Sequence, residues 1–202
     1  MVALALATQA STSYASIMSV ANEGTWQTTM GSWNTADFED FWGPVNTQYA
    51  GVTFSGFNGG SPYTTTAFPY GGLNSVFTVV TMNAGGGGWT ATFATPVQGF
   101  AFWSNDVQFS GSTISIWDSQ SNLLGTYDLM NSGSGHRPYF YGFNGFVSNA
   151  FDIAKVEVAI DITDAIWFDN FQYSPVPVPG AVILGSIGLA YSGLRLRRRK
   201  EL

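Results

Sequence analysis

Between residues 51 and 173 the chain consists of short runs in which polar and apolar side chains alternate, each closed by Gly, Asn, Ser or Asp. A period of two places alternate side chains on opposite faces of a strand, so such runs read as half-buried β-strands rather than helices. Gly51–Ser55, Ser75–Met82, Trp89–Phe93, Thr113–Trp117, Asn122–Tyr127, Ala154–Ile160 and Ile166–Tyr173 all fit. In Ala154–Ile160 the pattern sends Val156, Val158 and Ile160 inward and Lys155, Glu157 and Ala159 outward. Gly99–Trp103 is apolar on both faces and is expected at the centre of a sheet. Asp118–Ser121 reads as a hairpin connection between its flanking runs. Helical periodicity is weak, and only Thr35–Phe41 is expected to start a turn. Eight to ten strands in one domain, spanning residues 16–173, predict an all-β, two-sheet antiparallel jelly-roll-like sandwich.

No cysteine is present, so no disulfide supports this domain and its core must be sufficient. Charge is distributed unevenly. Of seven Lys and Arg residues only Arg137 and Lys155 precede Arg195, against twelve acidic side chains, which gives the body a formal charge of −10. Nucleic acid and acidic lipid surfaces need clustered cations, and this body offers none.

The C-terminus has a different character. Residues 174–179 form a proline-rich linker, Ser-Pro-Val-Pro-Val-Pro. Val176–Leu194 carries no charge, and the basic cluster Arg195, Arg197, Arg198, Arg199 and Lys200 follows. An uncharged run of this length spans the roughly 30 Å bilayer core as a helix. Residues 180–194 are therefore predicted as a C-terminal transmembrane helix and 195–202 as a basic cytoplasmic tail that leaves the body outside. At the other end, residues 1–15 pair an apolar stub with small-x-small tripeptides at 8–10 and 13–15. They are read as the remnant of a secretory signal peptide whose start lies upstream of Met1.

The order of these tail features resembles the PEP-CTERM sorting signal of exported bacterial proteins. The matching residues are Pro177, Val178, Pro179, Gly180 and Ala181, then Leu184-Gly185, Gly188-Leu189 and the arginine-rich end. Val178 stands where the family's motif has Glu. The resemblance implies a membrane-embedded protease partner, an exosortase, that cleaves near the prolines. It also implies contact with membrane lipid through the helix, an inner-membrane-anchored precursor, and a mature domain at the cell surface or outside the cell, associated with extracellular polysaccharide. The body is similar to that of many such proteins, and to jelly-roll carbohydrate-binding modules, in Phe38-Glu39, Gly51–Phe54, Pro96–Phe102, Asp118 with Gly125, and Phe168–Phe171. By the same resemblance a structural calcium ion bridges Glu39, in the Asp37/Glu39/Asp40 group, and Asp169; both acids hydrogen-bonded to backbone is the simpler alternative. No other cofactor is implied.

Catalytic constellations are sparse. The single His136 lies in a Gly/Ser-rich loop without a nucleophile elbow, and zinc needs more ligands than it offers. Glu39/Asp40, Asp161/Asp164 and Glu157 supply carboxylates for a glycoside hydrolase, but nothing fixes two of them across a cleft. Among the tryptophans, Trp89 aligns inward. Trp117 shares a face with Thr113 and Ser115, and Trp103 with Ala101. Were their strands neighbours, Trp103 and Trp117 would form one sugar-stacking platform beside Asn105, Asp106 and Gln108; packing between sheets or the end of a partner interface is the alternative. The sequence thus favours an exported, non-enzymatic surface or matrix protein. A carbohydrate-binding module with a defined glycan, and then a secreted hydrolase, are its rivals.

Overall fold

The computed structural model describes residues 16–40, 42–56, 62–65, 75–77, 87–105, 107, 110–129, 141–161 and 166–174. Twelve strands and one helix follow one another: β1 (Ile17–Val20), α1 (Glu23–Met30), β2 (Asn34–Ala36), β3 (Val52–Gly56), β4 (Tyr63–Thr65), β5 (Ser75–Phe77), β6 (Gly87–Val97), β7 (Gly99–Asn105), β8 (Thr113–Trp117), β9 (Leu123–Asp128), β10 (Tyr141–Ser148), β11 (Ile153–Ile160) and β12 (Trp167–Tyr173). Every pairing is antiparallel. One sheet has seven strands in the order β1-β10-β7-β12-β5-β4, with β2 beside the far half of β12; the other has five in the order β3-β6-β11-β8-β9. The fold is a two-sheet antiparallel β-sandwich.

The alternation seen in the sequence sets the inner faces. Ile114, Ile116, Val156, Val158, Phe100, Phe102 and Phe171 are at most 1% exposed and belong to one cluster between the sheets. Phe171 is the hub of this aromatic interior, lying 5.2 Å from Phe54, 5.7 Å from Trp89 and 6.3 Å from Phe102. Edge and offset ring contacts of this kind add to the roughly 1.5–3 kcal/mol gained from burying each large side chain. Gly99–Asn105 is central, between β10 and β12, as its two apolar faces require. The hairpin at residues 118–121 is present: Asp118 Oδ1 accepts the backbone N–H of Gln120 and Asn122, and Asn122 Nδ2 donates to Oδ2.

Two expectations fail here. The segment expected to start a turn at Thr35–Phe41 opens instead with β2, which pairs Ala36 with Phe171. The helix lies earlier, at Glu23–Met30, capped by the Asn22 side chain, which accepts Thr25 N–H at 2.9 Å, and ended by Gly31 at φ 69°. Only Trp26 of its residues is buried, so no periodic apolar stripe marks it. Trp26 is anchored by its indole N–H to Phe146 O at 3.1 Å. Gly99 and Gly145 make room for the helix: a Cβ at Gly99 would meet Met30 Sδ at 2.7 Å, and one at Gly145 would meet Trp26 Cδ1 at 2.9 Å.

The domain closes at Ser174. Its hydroxyl accepts the backbone N–H of Gln98 and Gly99, and its own N–H donates to Gly99 O at 2.9 Å. The last described residue is thus fastened to the β6–β7 turn. Among the described residues no helix is long and apolar enough to cross a membrane. The signal remnant 1–15, the motif Pro177–Ala181, the predicted helix 180–194, the basic cluster at 195–200 and His136 all lie outside the described residues.

Candidate functional site

β7 and β12 run side by side with Trp103 opposite Asp169, Ser104 opposite Phe168, and Asn105 opposite Trp167. Phe102 and Phe168 point into the core. Alternation therefore sends Trp103, Asn105, Trp167 and Asp169 to the outer face of the seven-stranded sheet. Directly opposed residues share a face, and diagonal ones remain within reach of an aromatic ring. The result is a checkerboard, two indoles on one diagonal and an amide and a carboxylate on the other. β10 extends it, placing Phe143 opposite Trp103. The Trp103 and Phe143 rings meet edge-on at 5.3 Å.

Trp103 and Trp167 are partly exposed, whereas Asn105 and Asp169 are 1% and 3% exposed. Neither Oδ1 nor Nδ2 of Asn105 has a hydrogen-bond partner. Leaving a buried amide unpaired costs about 1–3 kcal/mol. Asp169 sits at an irregularity of β12, where pairing passes from β5 to β2 and Asn170 adopts φ 48°. Its Oδ1 accepts the Asn170 N–H at 2.7 Å. The other half of this outer face is covered by α1, through Trp26, Met30 and the contact of Gln27 and Glu23 with Gln172.

Trp117 is not part of this surface. It lies on β8 in the five-stranded sheet, so Trp103 and Trp117 occupy opposite outer faces of the sandwich and form no joint platform. The connection after Asn105 carries the chain from one sheet to the other instead of turning back as a hairpin. Lys155 Nζ stands 4.8 Å from the centre of the Trp117 ring and pairs with Glu157 at 2.8 Å. Around them the face presents Thr53, Ser55, Thr90, Thr92, Ser115 and Thr126. Asn105 is the one predicted companion of Trp103 that the structure places; Asp106 and Gln108 lie outside the described residues. The indole that does neighbour Trp103 is Trp167, which sequence reasoning assigned no role. Its signal was available, because Trp167-x-Asp169 repeats the aromatic-x-polar alternation of Trp103-x-Asn105.

Glu39 follows β2 closely, and β2 pairs with β12 up to Ala36 opposite Phe171, so Glu39 and Asp169 lie on adjoining segments. Burial raises the Tyr49 hydroxyl pKa above its usual value; a backbone hydrogen bond at Phe38 opposes this, and the charges of Asp37, Asp40 and Glu39 add to it. Among the described residues, however, no three His, Cys, Asp or Glu side chains converge on one point. Calcium takes six to eight oxygens, so two carboxylates fall short of the set it normally finds. Of the carboxylates considered for hydrolysis, Glu157 is paired with Lys155, the Asp161 carboxylate lies beside Gly111, and Asp164 is outside the described residues. A cavity of about 10 Å³ among Phe38, Phe54, Trp89, Phe102, Phe171 and Asp169 holds at most about one water.

The chain matches no family model and no curated protein sequence. Solved structures with some likeness include a family 29 carbohydrate-binding module, at 9% identity over 70% of this chain and 91% of that one, with a TM-score of 0.41. A cleaved adhesin domain of Lys-gingipain gives 11% identity over 79% and 100%, TM-score 0.40. The enzymatically active domain of tailspike protein 4 of bacteriophage CBA120 gives 18% over 63%, TM-score 0.40, and this chain spans 20% of its length. Likenesses at this level carry no argument about function.

Proposed function

We propose that residues 16–173 form a non-enzymatic carbohydrate-binding domain whose ligand lies on the half of the seven-stranded sheet's outer face that α1 does not cover. The observation that carries this reading is the checkerboard of partly exposed Trp103 and Trp167 around the unpaired amide of Asn105. An indole face fits the apolar face of a pyranose, and an amide offers both a donor and an acceptor to its hydroxyls. The Asn105 amide is buried and has no partner, so a sugar hydroxyl that reaches it when the neighbouring rings part displaces no hydrogen bond within the protein. Lys155, the only basic side chain among the described residues, is on the opposite sheet, which suits an uncharged glycan better than a uronate.

The tail completes the proposal. Pro177–Ala181, the apolar run and the basic cluster act as a PEP-CTERM-like sorting signal, handled by an exosortase-type protease and delivering the domain to the cell surface or the surrounding polysaccharide. Calcium between Glu39 and Asp169 is an accessory proposal: if it holds, EDTA lowers the melting temperature, and an unchanged midpoint removes it.

Affinity electrophoresis through gels containing neutral polysaccharides tests the main reading. Trp103→Ala and Trp167→Ala are expected to weaken retardation at least tenfold, and Trp117→Ala to leave it unchanged. Retardation equal in all four proteins, or absent from all of them, defeats the assignment.

A further inference from the structure

β10 outruns its neighbour. β1 pairs with it from Ser148 to Gly145 and stops, leaving Tyr141–Asn144 without a strand on that side among the described residues. At this step, between the edge of the seven-stranded sheet and the end of β9, lies a cavity of about 220 Å³. Its walls include Ser19, Tyr127, Asp128, Phe143, Asn144 and Phe146.

The walls are fixed by contacts of their own. The Tyr127 ring packs on Phe146 at 4.9 Å, and its hydroxyl donates to Ile17 O at 3.2 Å, spanning the gap between the two sheets. Asn144 Nδ2 donates to Ser104 Oγ at 3.0 Å and to Gly142 O at 3.2 Å, which sets the plane of its amide. Phe143 lies between this cavity and the Trp103 face, since its ring also meets Trp103. Ser19 and Asp128 are exposed at the rim.

We infer that this edge cavity binds the terminal residue of an uncharged glycan. At about 30 Å³ per water the space equals roughly seven waters, close to the bulk of one pyranose ring. Three rings together with an amide, a hydroxyl and a carboxylate in one wall offer partners to both the apolar and the hydroxylated surfaces of a sugar. Among the described residues of the wall the only charge is the Asp128 carboxylate, which repels uronic and sulfated residues. The inference rests on the glycan reading above for its class of ligand, but it uses different residues.

Calorimetric titration with methyl hexopyranosides, run beside electrophoresis on neutral polysaccharide, tests it. Ser19→Trp, which fills the cavity, and Asp128→Ala alter exposed positions, and a thermal melt confirms folding. Glycoside binding by the wild type, reduced at least tenfold in Ser19→Trp and weakened in Asp128→Ala, supports the site. Glycoside affinity unchanged in Ser19→Trp overturns it, as does equal binding of a methyl hexuronide. Polysaccharide retardation with no glycoside binding overturns the edge site and leaves the face reading standing. Glycoside binding without retardation supports the edge site and defeats the face. Silence in both assays defeats both.

Discussion

The two sheets turn very different outer faces away from their shared core. On the five-stranded sheet the outward row is mostly Ser and Thr, and its one indole, Trp117, lies under the Lys155 ammonium, which is itself paired with Glu157. On the seven-stranded sheet half of the outer face is sealed by α1, and the other half sets Trp103 and Trp167 among Asn105, Asp169 and Phe143. The first face has its ring, cation and carboxylate mutually engaged, although the Trp117 indole N–H is buried without a hydrogen-bond partner. The second keeps a buried amide unpaired beside partly exposed rings, an arrangement that costs stability and that only contact with something else would offset. Half-exposed tryptophans on two faces of one domain thus read differently once their partners are known.

The largest test of this contrast is removal of the seal. Trp26→Ala deletes a side chain with no exposure and its bond to Phe146 O, and an expected loss of about 3–5 kcal/mol follows in urea unfolding. Trp117→Ala on the other sheet is expected to cost far less; equal losses would erase the distinction between a sealed and a bare face. Next comes Ser174→Ala, which abandons two backbone N–H groups at the β6–β7 turn and is expected to cost about 1–3 kcal/mol. Smaller again, Lys155→Met breaks a surface ion pair and a cation–ring contact and is expected to shift stability by under about 1 kcal/mol. The least effect belongs to the hairpin of the bare sheet. The Asn122 amide, with backbone N–H groups of Asn122 and Gln120, holds the Asp118 carboxyl below its ordinary pKa. Its contribution is present above the unfolded value near 3.8 and is lost as pH falls through the lower folded value. Melting points of wild type and Asp118→Ala should therefore differ at neutral pH and converge in strong acid.

The strands that were legible are those whose alternation matches burial on one face only. Val156, Val158 and Ile160 announce β11, and Ile114 with Ile116 announces β8. β10 was not seen because Gly142 and Gly145 give Tyr141–Ser148 the look of a loop, when Gly145 is small to let Trp26 lie on the sheet. α1 was hidden for a related reason: Thr25, Thr28 and Thr29 are weak helix formers, and one buried side chain makes no periodic signal. For the site, the outward direction of Trp103 and Trp117 follows from local alternation. Whether two strands share a sheet is decided by the path of the connections between them, which local pattern does not encode. Trp167 was overlooked because its strand carries core rings at Phe168, Phe171 and Tyr173, and a bulge at Asp169-Asn170 breaks the count of faces.

The fastening of Ser174 to Gly99 also gives the domain a direction. β7 leaves that corner at Gly99 and reaches Asn105 six residues later, while β12 travels from Trp167 back toward Ser174. At about 3.3 Å per residue the indole–amide checkerboard stands roughly 20 Å from the point where the chain departs toward its C-terminus. Were the protein tethered through its C-terminal residues, the two indoles and the amide would stand at the rim of the sandwich farther from the attachment, turned toward whatever lies beyond.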